Sequence, residues 1–264
     1  MVRGLLASVM VGILCAVMGT YVVLRGMAFL GDAMSHAILP GVAISYLLHG
    51  NLLVGAMIAA VIIAISIGFF SKGGAVKEDT AIGILFAAAL SLGVALISSI
   101  QTYAVDLSHI LFGNVLGVSM SDLWLTASLG LLVLAAVALL YKQFLVISFD
   151  PILAATLRLP GELLRNLMLV LLALTVVVSL QTVGVGLAAA MLVTPAATAY
   201  LLTRRLWPMM LASATIGAVS SLVGLYLSYY LNIVSGSAIV LTATAIFLLV
   251  FLFHPRRGIL WKKR

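Results

Sequence analysis

Asp32 and His36 stand four residues apart in the stretch GDAMSHAILPGVA, at the head of an otherwise apolar run. On a helix this spacing puts both side chains on one face. A carboxylate oxygen and an imidazole nitrogen then lie side by side, and both are donors that zinc and manganese accept. An ionisable residue inside a membrane span is costly and by default points to a cavity or the bundle interior. Pro40 and Gly41 follow closely. Pro40 has no N–H to give the carbonyl four residues back, so the His36 oxygen is freed near the same face, and the Pro-Gly pair can kink the helix. A broken helix whose free carbonyls line a cavity is one way to build an ion path. Spacing alone leaves a second reading open, in which Asp32 is the N-cap of this helix and His36 its ion-pair partner. Two ligands are also too few for a closed zinc site, which takes four. A two-fold dimer that brings two such pairs together would supply them.

Other polar signals rank below this pair. Asp106 and His109, in QTYAVDLSHILFGNVLGVS, stand where acidic and imidazole groups could receive a metal, or where solvated loop residues and helix caps are expected. That stretch reads as an external loop, with room for a short re-entrant helix. In FDPILAATLRLPGELLRN, Asp150 and Pro151 form an N-cap followed by a first-turn proline, and Pro160-Gly161 ends the segment. A short helix is expected there. With Arg158 and Glu162 it offers a grip for a separate ATPase, or it is a plain connector between spans. Pro195 frees the carbonyl of Met191 as Pro40 frees that of His36, so a second helix break near the pore is expected; the alternative is an ordinary membrane proline. Glu78 and Asp79 open an apolar run, where the helix macrodipole favours acidic residues.

Absences limit the chemistry. No G-x-x-x-x-G-K-[ST], HExxH or CxxC occurs, so neither ATP hydrolysis nor other catalysis is expected of this chain. The one cysteine, Cys15, cannot form an internal disulfide. The methionines are scattered, without the external cluster that copper would favour.

The elements that must hold these residues follow from composition. Of 264 residues, 64% are hydrophobic and only 8% charged, which cannot clothe a soluble surface. A bilayer core of about 30 Å needs about 20 apolar residues per helix. Runs of this kind lie at roughly 4–24, 32–48, 52–70, 80–98, 121–141, 165–182, 187–202, 209–230 and 238–253. The reading is an all-α, polytopic transmembrane bundle of about nine spans, with eight possible, formed by residues 1–264 as one domain. The N-terminal run lacks an A-x-A-like cleavage site and leads straight into further apolar segments, so it counts as a span. With nine crossings and the N-terminus outside, every Lys and Arg except Arg3 falls on the cytoplasmic side, together with the C-terminus. The net charge of +7 thereby reports orientation and contact with membrane lipids, not nucleic acid.

The stretches RGMAFLGDAMSHAILPGVAI, KEDTAIGILF, DLSHILFGNVLGVS, FDP and QTVGVGLAAAMLVTPAATAYLL, in this order, resemble the signature segments of the zinc/manganese/iron-type ABC transporter permeases. The resemblance implies a homodimer in the cell membrane, two copies of a separate cytoplasmic ATPase, and an extracytoplasmic metal-binding protein. It implies import of a divalent metal, zinc or manganese and possibly iron, with no permanently bound cofactor. The positions matching Asp32 and His36 would line the metal path. One departure stands after FDP, where the family commonly has Glu and this chain has Ile152. Two rival readings are an ion-coupled secondary transporter with Asp32 and His36 as a proton relay, and a siderophore-type ABC permease.

Overall fold

A computed structural model describes residues 2–74, 76–99, 117–149 and 151–253. Among them are twelve α-helices and no strand: α1 (Val2–Leu24), α2 (Leu30–Ala37), α3 (Leu39–Leu47), α4 (Leu52–Phe70), α5 (Glu78–Ser98), α6 (Met120–Leu139), α7 (Tyr141–Phe149), α8 (Pro151–Thr156), α9 (Gly161–Val183), α10 (Val185–Leu202), α11 (Leu206–Leu231) and α12 (Ser235–Phe253). Eight of these are long and apolar enough to cross a membrane: α1, α4, α5, α6, α9, α10, α11 and α12. In hydrocarbon only a helix satisfies all its own backbone groups, which is why runs so rich in Leu, Ile, Val and Ala form nothing else.

Apolar faces cannot steer these helices, because most are apolar all round and lipid is as apolar as leucine. Small residues and hydroxyls do so instead. Helices α1 and α9 are largely buried, whereas α5, α6 and α12 have few buried residues. Helix α1 packs against α10 and α11 on one side and against α6 and α9 on the other. At the crossing of α1 and α11, Ser213 donates to the Ala16 carbonyl at 2.7 Å and Ser221 to the Ser8 carbonyl at 3.0 Å. A Cβ added to Gly217 would meet the Gly12 carbonyl oxygen at 2.5 Å. Gly217→Ala is therefore expected to destabilise the bundle by about 1 to 3 kcal/mol through overpacking. Gly83 faces open space, so Gly83→Ala is expected to be neutral or to stabilise by up to about 1 kcal/mol through helix propensity. Denaturant titration of both variants in mild detergent checks the opposite signs.

Two helix breaks differ from the sequence expectation. The run at 32–48 is not one helix but two, α2 and α3, separated at Ile38. Pro40 does not sit at the break; it lies in the first turn of α3, where its missing N–H costs nothing. Gly41 belongs to α3, and its close approach to Gly55 of α4 leaves no room for a side chain. The break expected at Pro195 is absent, since α10 runs through it from Val185 to Leu202. The interruption on that side falls earlier, at Gly184, whose φ of 88° favours glycine and separates α9 from α10.

Candidate metal site

Helix α2 (LGDAMSHA) buries Leu30, Ala33, Met34 and Ala37. It packs mainly against α5 and α10, and Gly31 lies against Ala189 and Leu192 of α10. The turns between these buried positions carry Asp32 and His36, with side chains 48% and 31% exposed in the single chain. Asp32 Oδ1 and His36 Nε2 are 3.9 Å apart. The imidazole is held from behind by Phe86 of α5, ring centre to ring centre 6.1 Å, and Phe86 in turn meets Phe29 edge-on at 5.5 Å.

This arrangement bears on the two sequence readings. The N-cap of α2 is Phe29, with no side-chain capping hydrogen bond, and Asp32 stands inside the first turn. There the macrodipole favours it, but it caps nothing. A borderline divalent cation makes bonds of about 2.0 to 2.2 Å to carboxylate and imidazole, so a tetrahedral ion sets two such donors about 3.4 Å apart. The observed 3.9 Å is close to that distance, and a rotation of either exposed side chain would close it. The pair alone cannot complete a coordination shell, and no group of three or more His, Cys, Asp or Glu occurs among the described residues. The His36 carbonyl, expected to be free because of Pro40, accepts the N–H of Ile38.

Asp106, His109 and Asp150 lie outside the described residues. Asp122, near the first two in sequence, is a structural cap. Its carboxylate accepts from the Ser119 N–H at 3.1 Å while its own N–H donates to Ser119 Oγ, and Gln181 of α9 donates to it at 3.0 Å.

Pro151 opens α8, a short helix that ends at Thr156, ahead of the Pro160-Gly161 pair at which the sequence pattern placed the end of the segment. Its surface carries Ile152, 79% exposed, with Phe149 and Leu157 exposed beside it. The helix closes in a Schellman turn, Arg158 N–H to the Ala155 carbonyl and Leu159 N–H to the Ala154 carbonyl, both 3.0 Å. Arg158 occupies the left-handed position of that turn at φ 53°. Glycine is the usual residue there, and a side chain costs about 1 to 2 kcal/mol. Pro160 then stands at the N-cap of α9, and Glu162 in the first turn of α9 pairs with Lys72 at 2.9 Å.

A charged cluster gathers where several helices end. Arg25, just past α1, and Arg165 of α9 both approach Glu78 Oε1 at 3.7 Å. Arg165 also donates to the carbonyls of Gly68 (2.8 Å) and Ser71 (3.3 Å) at the end of α4. Burial pulls the Arg25 guanidinium below its ordinary pKa, with Glu78 opposing and Arg165 adding to that shift. Sequence reasoning took Glu78 as a helix-start acid only. Nothing in linear spacing joins positions 25, 78 and 165.

The model of the ABC 3 transport family matches residues 1–254. The chain belongs to this family. Among similar family members, the manganese transport system membrane protein MntC of Listeria monocytogenes is 50% identical over 262 residues, covering 99% of this chain and 93% of that one. The manganese import system permease protein ScaB of Streptococcus pneumoniae is 42% identical over 255 residues, covering 97% and 91%. The solved structure of PsaBC from Streptococcus pneumoniae in complex with Fab superposes with a TM-score of 0.84 at 41% identity, covering 97% of this chain and 92% of that chain. Helices α1 through α12 all fall inside the family match, so Asp32, His36, Glu78 and the α8 segment are features of an ABC 3 transport protein, a multi-pass membrane permease.

Proposed function

We propose that this chain is the permease of an importer that carries a divalent transition metal, manganese foremost, into the cytoplasm. The observation that carries the reading is the Asp32–His36 pair: two metal donors 3.9 Å apart, partly exposed, on a short helix set in an apolar bundle. Oxygen and imidazole donors suit manganese, and also zinc and iron(II), whereas copper(I) favours thiolate and thioether. Relatives named for manganese transport favour that metal among the three.

The working unit in this reading is a homodimer. Each protomer supplies two donors on a partly exposed face, and a two-fold axis beside α2 doubles the set to four, the number zinc takes and the larger part of the octahedral shell that manganese prefers. Counting the α2–α3 pair as a broken crossing gives nine crossings, with the N-terminus outside and the C-terminus cytoplasmic. That orientation puts α8 and the Arg25–Glu78–Arg165 cluster on the cytoplasmic side, where a separate ATPase grips α8. An external binding protein delivers the metal on the opposite side, with Asp106 and His109 as receiving groups. Asp32, seven residues after Arg25, then lies in the inner half of the membrane, where partial hydration lowers the cost of an ionised carboxylate.

Reconstitution with the ATPase and the binding protein in proteoliposomes tests the reading. ATP-dependent manganese uptake is expected, with zinc and iron(II) as competitors. Uptake by the permease alone, driven by a pH gradient without ATP, would establish the proton-coupled rival instead.

A further inference from the structure

The cluster around Glu78 is poorly satisfied for a buried ion pair. Both guanidinium contacts to Oε1 stand at 3.7 Å, beyond the 2.7 to 2.9 Å or so of a charge-assisted hydrogen bond. Glu78 Oε1, Arg25 Nη1 and Arg165 Nε are all buried without a hydrogen bond. Two guanidiniums face one carboxylate, which leaves an uncompensated positive charge among helix ends. A bridge serving stability alone would close to bidentate geometry, because a buried polar group without a partner is costly. A movement of the carboxylate toward either arginine would shorten that contact and lengthen the other; Arg165, whose Nη1 and Nη2 already donate to Ser71 and Gly68, would meet it along its Nε edge. One carboxylate between two guanidiniums is the kind of unit that can take two arrangements and so carry coupling.

The three side chains belong to elements that have reason to be coupled. Arg25 leads into α2, which begins at Leu30 and carries Asp32 and His36. Glu78 opens α5, which packs along α2 and holds Phe86 against the His36 ring. Arg165 lies in α9 directly after the α8 segment, and clamps the end of α4 through Gly68 and Ser71. We infer that Glu78 is a positioning residue, a carboxylate that changes partner between Arg25 and Arg165 during the transport cycle and so ties the α8–α9 segment to the helix bearing Asp32 and His36. The inference rests on the proposed docking of an ATPase at α8, and adds to it the route by which that contact reaches the metal.

The test is the amount of manganese moved per ATP hydrolysed by the reconstituted permease–ATPase complex. Glu78→Gln removes the charge at nearly constant volume; the complex is expected to assemble and hydrolyse ATP, while manganese moved per ATP falls about tenfold, a coupling loss of ordinary size. The double variant Glu78→Gln/Arg25→Gln has the same net charge at the cluster as the unaltered protein, so it repairs a purely electrostatic fault. Coupling stays low in it if the carboxylate is a switch. Recovery of the unaltered ratio in the double variant, or an unaltered ratio in Glu78→Gln, overturns the inference. Should Glu78→Gln fail to assemble, the double variant and Glu78→Asp, which keeps the charge but not the reach to both guanidiniums, carry the same comparison. Failure of any ATPase to associate with the unaltered chain would instead overturn the docking reading, and this inference with it.

Discussion

Asp32→Asn and His36→Ala are each expected to lower manganese uptake by at least about a hundredfold, since even the outer partners of metal ligands are worth about 10- to 100-fold. In a two-fold dimer each substitution acts on both protomers at once, Asp32→Asn by removing the charge of an oxygen donor and His36→Ala by removing the nitrogen donor. The folded bundle should survive. Asp32 makes no capping hydrogen bond, and its interaction with the macrodipole is worth only about 0.3 to 1 kcal/mol. His36 is partly exposed, with Phe86 beside it. Uptake by proteoliposomes, read beside thermal stability and ATPase association, separates loss of a ligand from loss of fold. Near-normal uptake of manganese, zinc and iron(II) by both variants would remove the pair from the metal path.

Replacing residues 151–159 with a Gly/Ser linker of equal length is expected to abolish ATPase association and ATP-driven uptake while leaving the membrane bundle assembled. Helix α8 is six residues long and shows most of its surface, with Ala154 as its buried anchor. Arg158 sharpens the experiment. Its left-handed backbone makes Arg158→Gly stabilising by about 1 kcal/mol if the side chain has no task. A variant that is more stable but poorly coupled would show that the guanidinium serves the ATPase contact. Arg158→Glu is expected to uncouple further, by reversing the charge at the end of the same helix. Continued copurification and coupling after the linker replacement would rule out docking at α8.

Most long elements were legible because the bilayer permits so few structures. The run read at 52–70 is α4 residue for residue, and those at 80–98 and 187–202 gain only two residues at their starts. The departures share a cause: a residue's effect on backbone depends on its place in the turn. Pro40 suggested a kink at itself, but it is tolerated within the first turn of α3, and the chain breaks at Ile38 before it. Pro195 suggested the same, but it lies buried in mid-helix and α10 continues through it. Asp32 and His36 were readable because i,i+4 spacing is local. The Arg25–Glu78–Arg165 cluster was not, since its members are drawn together only by the packing of α1, α5 and α9.

The interruption at Ile38 also has an electrostatic consequence. Ile38 is at once the C-cap of α2 and the N-cap of α3, so the carbonyl end of one helix dipole, beside His36, meets the N–H end of the next. Each end carries up to about half a unit of charge, of opposite sign, and the two largely offset one another at the break. Helix dipoles therefore add little net attraction for a cation beside His36. In the proposed reading, the hold on the ion and the choice among metals then rest on the Asp32 carboxylate, the His36 imidazole and what touches them, and a change in metal preference is to be sought there.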